Sequence, residues 1–296
     1  MPEIASLVAA PGALDPATAE TLRSAWGGGA LRWLSPREAA EFELPARPDT
    51  AAHVRAQMHL MGIDVNLVPA EGRRKAMLLA DMDSTMIGQE CIDELADLAG
   101  VAGEVAPITA AAMRGELGFE GALEARLALL EGLDETAIGR VIEERLTLAP
   151  GARTLVATMR ADGAHAVLVS GGFTAFTGWV AESLGFDEHH ANVLGIEGGR
   201  LTGTARRPYL GREAKVEALE RIARERGIGA RCVLAVGDGA NDLGMIGRAG
   251  MGVAVHAKPA VREAAPLAID HGDLTALLFL QGYARDEFIE SGPAPA

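Results

Sequence analysis

Residues 75–94 read KAMLLADMDSTMIGQECIDE. A short apolar run, Met77 to Ala80, leads straight into two acids, Asp81 and Asp83. A run of that length, bounded by polar residues, is the pattern of a strand buried on both faces. Three later stretches repeat it: HAVLVS (165–170), CVLAVGD (232–238) and GVAVHA (252–257). Helical patterns lie between several of them, which predicts a parallel, doubly wound α/β sheet of the Rossmann-like kind. Ligands of such sheets bind beyond the carboxyl ends of the strands. Asp81, Ser170 and Asp238 each stand at such an end, so one crevice should collect all three.

Outward from this stretch, residues 87–149 read as a purely helical insertion. ECIDELADLAG (90–100) carries Ile92, Leu95 and Leu98 at helical spacing and stops at Gly100. FEGALEARLALLEG (119–132) and DETAIGRVIEERL (134–146) follow the same logic. Placed directly after the acidic loop, the insertion is expected to form a cap over the crevice. HHANVLGIEGGRLTGTARR (189–207) reads as a hairpin turning at Glu197-Gly198-Gly199, with His189-His190 as a solvated turn.

Residues 1–71 form a separate small unit in this reading, and residues 72–296 the larger one that holds the acidic loop. EIASLVA, ALRWL and IDVNLVP are strand-like. DPATAETLRSAW opens a helix with Asp15 as N-cap and Pro16 at its first position. RPDTAAHVRAQMHLMG is a second helix ending at Gly62, and AEGRRK is a polar linker. A β-α-β pattern met twice predicts a small α+β, ferredoxin-like (ACT-like) regulatory or assembly domain. A unit this small buries little surface alone, so it should pack on the larger part or on a second copy in a homodimer.

Composition narrows the functional classes. The chain has 296 residues, 49% hydrophobic and 23% charged, with a formal net charge of -14. That charge disfavours nucleic acid and anionic membranes as partners, since both need a basic face. The opening MPEIASLVAAPGALDP has no basic leader, and no apolar run is long enough to span a bilayer, so the expectation is a soluble, cytoplasmic protein. Cys91 and Cys232 are expected to be reduced and buried.

Two acids at the end of a hydrophobic strand repel each other and resist desolvation. A DxD pair alone is weak evidence for chemistry, but AVGDGANDLGMI adds Asp238, Asn241 and Asp242 at the end of another strand. The plain reading of that segment is a strand-to-helix turn capped by Asn241 or Asp242. Together the acids suit Mg²⁺, which takes one or two carboxylates, waters and a substrate phosphate. Asp81 can then act as a nucleophile toward phosphorus and Asp83 as general acid and base. In LVSGGFTAFTGWVAESLG, Ser170 and the Gly171 amide lie where a helix N-terminus favours an anion, although a structural turn explains them equally well. Lys215 can supply positive charge, or be a solvated lysine.

In the cap, Arg126 shares a helix face with Phe119, Leu123 and Leu130. Either it meets an anion such as a carboxylate, or it snorkels to water. Glu90 offers the complementary charge for an ammonium, or serves only as a helix N-terminal acid.

DMDST (81–85), SGG (170–172), Lys215 and GDGAND (237–242) occur in the order of the four signature elements of the haloacid dehalogenase superfamily. Over about residues 75–275 the chain resembles the phosphoserine phosphatase family within it. The resemblance implies a Mg²⁺-dependent hydrolase that converts O-phospho-L-serine to L-serine through an aspartyl-phosphate, the last step of serine biosynthesis. It implies Asp81 as nucleophile, Asp83 as acid and base, and a metal held by Asp81, the Asp83 carbonyl and Asp238. Ser170, Gly171, Lys215 and Asn241 would surround the phosphoryl group. Glu90 would meet the substrate ammonium and Arg126 its carboxylate, with Met113 and Phe119 lining the pocket. The rivals are a phosphotransferase with an acceptor such as homoserine, a phosphatase for another small ester, and a non-catalytic amino-acid sensor. The sensor would lack the acid pair, which is present here.

Overall fold

The computed structural model describes residues 2–113 and 116–290, the side chain of Met113 excepted. The N-terminal part contains β1 (Glu3–Ala9), α1 (Pro16–Ala25), β2 (Arg32–Ser35), β3 (Ala39–Leu44), α2 (Ala51–Leu60) and β4 (Ile63–Pro69). Its four strands form an antiparallel sheet in the order β2-β3-β1-β4. Asp15 caps α1 by accepting from the Thr18 amide at 3.1 Å, as its place before Pro16 predicts. β3 is a strand that the sequence reading passed over. Its AAEFEL alternation is short, and it follows β2 by a tight turn in which Arg37 has φ 57°.

The next part opens with β5 (Met77–Ala80), followed by α3 (Cys91–Leu98), α4 (Ala102–Met113), α5 (Phe119–Ala128) and α6 (Thr136–Glu144). These four helices fill the expected insertion. Then come α7 (Ala152–Ala161), β6 (His165–Phe173), α8 (Thr174–Leu184), β7 (Glu188–Asn192), β8 (Leu194–Glu197) and β9 (Arg200–Ala205). The chain continues through α9 (Arg212–Glu225), β10 (Val233–Gly237), α10 (Leu243–Arg248), β11 (Met251–Val255), α11 (Pro259–Ala264), β12 (Leu267–Ile269) and α12 (Ala276–Leu280).

Six of these strands form a parallel sheet in the order β12-β11-β10-β5-β6-β7. The chain runs from β5 outward to β7, then returns to the other side of β5 with β10. The order therefore reverses at β5, and a crevice opens at that point beyond the carboxyl ends. Every residue of β5 is fully buried, which explains its unbroken apolar run. β8 and β9 pair as the predicted hairpin, with Gly198 and Gly199 at φ 56° and 79° in the turn. Among the described residues no helix is long and apolar enough to cross a membrane.

Three expectations need correction. His189 and His190 do not form a solvated turn: they lie in β7, the edge strand of the sheet. His189 bonds Thr177 at 2.9 Å and His190 bonds Glu188 at 2.9 Å, so a polar edge strand had the composition of a turn. Cys232 is exposed, in a single 3₁₀ turn before β10, whereas Cys91 is buried and reduced as expected. Finally, β6 runs past Ser170 to Phe173, with its pairing to β7 interrupted between Val169 and Phe173.

The N-terminal sheet is locked onto the edge of the parallel sheet. The buried Asn66 side chain, in β4, donates to the Ala268 carbonyl at 2.8 Å and accepts from the Ala268 amide at 3.0 Å. Its amide group thus occupies the open hydrogen-bonding edge of β12. Two residues earlier, Asp64 accepts from the amides of Asp270 at 3.0 Å and His271 at 2.8 Å. Val8, Leu34, Ala39 and Val68 share one apolar core with Leu277 and Phe279.

Candidate active site

The β5 ladder extends one bond further, from the Asp81 amide to the Val236 carbonyl at 3.0 Å. The chain then leaves the sheet in a tight loop: the Met86 amide donates to the Met82 carbonyl at 2.8 Å, and Ser84 adopts φ 55°. This loop holds the two acids of the motif in different surroundings. Asp81 lies 2.7 Å from the Lys215 ammonium. Asp83 accepts from the Cys91 amide, at the start of α3, at 2.9 Å and from the Ser170 hydroxyl at 3.3 Å. A helix N-terminus thus faces Asp83, and a lysine faces Asp81.

Lys215 projects from the first turn of α9 and is wholly buried. It also meets Asp242 at 2.6 Å, and Asp242 accepts from the Gly239 amide at 3.0 Å. Asp81, Asp238 and Asp242 each offer an oxygen within 4.8 Å of the others. Thr85 donates to Asp238 at 3.2 Å. Asp242 is the member of this cluster whose residue type and place predict only a helix cap. Its spacing from Asp238, four residues across a glycine turn, was the available signal. As the residue before α10 it makes no side-chain capping bond; it holds Lys215 instead.

Crowding shifts these groups in definable directions. Burial, then repulsion from Asp242, pushes the Asp81 carboxyl well above the usual range, while Lys215 pulls it back. Burial raises Asp83 against the hydrogen bonds from Cys91 and Ser170, and raises Asp238 with help from Asp242. Burial works to lower Lys215, but Asp81 and Asp242 together hold its ammonium above the ordinary lysine value. Of the four carboxyls of the site, two contact its one ammonium. An all-oxygen, carboxylate-rich donor set with surplus negative charge suits a hard divalent cation.

On the β6 side, the Ser170 hydroxyl accepts from the Gly172 amide at 2.8 Å. A Cβ at Gly172 would lie 2.8 Å from Asp83 Oδ2, so a side chain there would displace the Asp83 carboxyl. Asn241 sits in the turn after β10 with its amide folded against Gly239. The buried Asn192, at the end of β7, reaches the Gly171 carbonyl at 2.8 Å. Sequence reasoning gave Asn192 no part, because it is distant in the chain and stands in a segment read as hairpin.

The cap helices close over this arrangement. Phe119, the first residue of α5, packs on Gly171 and Gly211, where added Cβ atoms would lie 3.5 and 2.9 Å from its ring. Glu90, just before α3, accepts from Ser84 at 2.8 Å. Its carboxyl is pushed up to about 7, by desolvation first and by Asp83 second. Arg126 is half-buried and donates to the Ala122 carbonyl of its own helix at 3.2 Å. Desolvation lowers its guanidinium, while Asp93, Glu90 and Asp83 attract it. The acids of the site therefore lie within its electrostatic reach. The Met113 side chain, expected in the pocket, lies outside the described residues.

Residues 78–246 match the model of the haloacid dehalogenase-like hydrolases. The chain belongs to this family. Relatives of this haloacid dehalogenase-like hydrolase include a phosphoserine phosphatase of Streptomyces coelicolor, 46% identical over 77% of this chain and 56% of that protein. Another, from Albidiferax ferrireducens, is 48% identical over 69% of this chain and 88% of that one. The chain thus spans about half the length of the Streptomyces relative. Among solved structures, a family hydrolase from Salmonella enterica serovar Typhi superposes with a TM-score of 0.86 at 28% identity. It covers 97% of this chain and 99% of that one, the N-terminal sheet included. A phospho-aspartyl intermediate analogue of a phosphoserine phosphatase superposes at 0.65 with 40% identity, over 70% of this chain and 98% of that one.

Proposed function

We propose that this hydrolase removes the phosphoryl group from O-phospho-L-serine, giving L-serine and inorganic phosphate. The observation that carries the reading is the different setting of two neighbouring acids: Asp81 against Lys215, Asp83 against a helix N-terminus and Ser170. Such separation assigns distinct roles to paired carboxyls. Asp81 attacks phosphorus as a carboxylate. The ester P–O bond breaks, and Asp83, the acid of the pair in this reading, gives a proton to the serine oxygen. Asp83, now ionised, takes a proton from water, whose oxygen attacks the phosphorus of the aspartyl-phosphate. Phosphate leaves and Asp81 is restored.

Asp81, Asp238 and Asp242 offer oxygen donors that would suit Mg²⁺, and the resemblance adds the Asp83 carbonyl as a ligand that would join them. When bound, it would offset the charge of the carboxylates and the incoming phosphoryl oxygens. The Gly171 amide, Lys215 and Asn241 bind the phosphoryl oxygens in this reading, while Ser170, expected among them, donates its one hydroxyl proton to Asp83. Arg126 takes the substrate carboxylate and Glu90 its ammonium, under a cap lined by Phe119 and Met113. Residues 1–71 would form the assembly or regulatory unit. Phosphate release from a panel of phosphoesters, with and without Mg²⁺, tests the proposal. Phosphoserine should be preferred and the cation required. Equal turnover of unrelated esters would remove the substrate assignment, and transfer to homoserine in place of water would make the protein a phosphotransferase.

A further inference from the structure

We propose that Asn192 is a positioning residue for this chemistry: through the Gly171-Gly172 peptide it holds the Ser170 hydroxyl in line with Asp83. The inference rests on the reading of Asp83 as general acid and base.

Asn192 is 3% exposed and pairs with Phe173 at the end of the β6–β7 ladder. Its side-chain amide makes three bonds. Nδ2 donates to the Gly171 carbonyl at 2.8 Å and to the Leu210 carbonyl at 3.3 Å, and Oδ1 accepts from the Leu210 amide at 2.7 Å. One side chain thereby ties the part of β6 after Ser170, where its pairing to β7 is interrupted, to the segment that enters α9, the helix of Lys215.

This unpaired stretch needs an external restraint. Gly171 and Gly172 are adjacent glycines, and glycine backbones have the widest conformational freedom. The sequence cannot stiffen the pair with a side chain at 172, because Asp83 Oδ2 occupies the space. A peptide unit is planar, so fixing the Gly171 carbonyl also fixes the Gly172 N–H. That N–H donates to Ser170 Oγ at 2.8 Å, and Ser170 donates onward to Asp83 Oδ2 at 3.3 Å. The path from Asn192 to Asp83 is therefore one rigid plane and two hydrogen bonds. Without the Asn192 donor, the plane loses the hydrogen bond that sets its rotation. The Ser170 hydroxyl then loses the bond that orients it, and Asp83 loses its alignment with the leaving oxygen.

The leaving group supplies the test. Serine leaves as an alkoxide and needs a proton; nitrophenolate leaves without one. Full-length wild type, Asn192→Ala and Asn192→Asp are compared with Mg²⁺ on phosphoserine and on 4-nitrophenyl phosphate. Asn192→Asp keeps an acceptor for the Leu210 amide but offers no donor to the Gly171 carbonyl. Both variants should lose about 10- to 100-fold in kcat/KM on phosphoserine, a part of the ~10²–10⁴-fold that general acid catalysis supplies. The loss on phosphoserine should lie in kcat rather than KM, and kcat/KM on the nitrophenyl ester, which reports phosphoryl transfer to Asp81 and not the shared hydrolysis of the aspartyl-phosphate, should change by less than about threefold. Equal losses on both esters, a change confined to KM, or a lower Tm with unchanged kcat/KM would each overturn the inference. Full activity in Asn192→Asp would do so as well, by showing that only the Leu210 bond matters. If Asn192→Ala does not fold, Asn192→Asp alone carries the comparison. A wild type inactive on both esters would overturn the phosphatase reading itself, and this inference with it.

Discussion

Lys215 is the only cation in direct contact with the acidic cluster among the described residues, and it has no exposure to solvent. Removing one partner from a buried ion pair leaves the other charge uncompensated, at about 3–5 kcal/mol. Here two partners, Asp81 and Asp242, would be left. Lys215→Met should therefore lower Tm and abolish turnover together. A cation at the carboxylates should recover part of the stability and none of the activity, since the ammonium beside Asp81 is still missing. Thermal melts with and without Mg²⁺, beside phosphate release, check this; turnover near the wild-type level would remove Lys215 from the chemistry. The residue-scale picture was largely legible in the sequence, because strand ends concentrate polar groups that have no other reason to be there. Asp81, Asp83, Ser170, Lys215 and Asp238 converge as expected. Asp242 was hidden by the capping propensity of its residue type, and Asn192 by its distance along the chain from Gly171.

At the scale of elements, the proposed function gives specificity to the cap and chemistry to the sheet. Arg126→Ala should reduce kcat/KM for phosphoserine about 10- to 100-fold, the value of a charged hydrogen bond at ~1.5–3 kcal/mol. An aryl phosphate, which has no carboxylate to offer, should be nearly unaffected. Equal losses on both substrates would instead make Arg126 a support for α5. Glu90 gives the cap a dependence on pH. Its carboxyl, raised to about 7, is neutral below that value and anionic above it. An ammonium is attracted only by the anion, so kcat/KM for phosphoserine should climb as pH rises through 7. The phosphate's own second ionisation near about 6 contributes to the same limb. Comparison with Glu90→Gln isolates the carboxyl, and superimposable pH profiles would remove Glu90 from ammonium binding. Elements buried on both faces or on one helical stripe were readable from periodicity. β3, β7 and β12 were not: they are short or polar, and β7 and β12 lie at the edges of the sheet, where pairing rather than hydrophobicity makes the strand.

At the scale of the whole molecule, the N-terminal sheet and the catalytic part share a core. Val8, Leu34 and Val68 pack into the same cluster as Leu277 and Phe279. None of the candidate catalytic residues lies before β5, so a chain starting near Glu71 retains every group the chemistry uses. It also exposes that shared core and unpairs the Ala268 amide and carbonyl. The truncated chain should show a much lower Tm, with residual turnover of phosphoserine wherever it stays folded. Size-exclusion chromatography, a melt and a phosphate-release assay on the same sample decide it. A truncated chain as stable as the full one would show that the contact contributes little. A folded, monodisperse but inactive one would move the boundary of the catalytic unit.

The Asn66 amide has a further consequence. A strand at the margin of a sheet is a template on which another chain can add its own strand, the first step of aggregation. Asn66 presents β12 with one donor and one acceptor, the hydrogen bonding of a single residue of a neighbouring strand, and then offers nothing further. The ladder is satisfied and stopped at the same place. By this arrangement the N-terminal sheet acts as a stopper for the catalytic sheet, keeping β12 from being extended by a second molecule in a crowded solution.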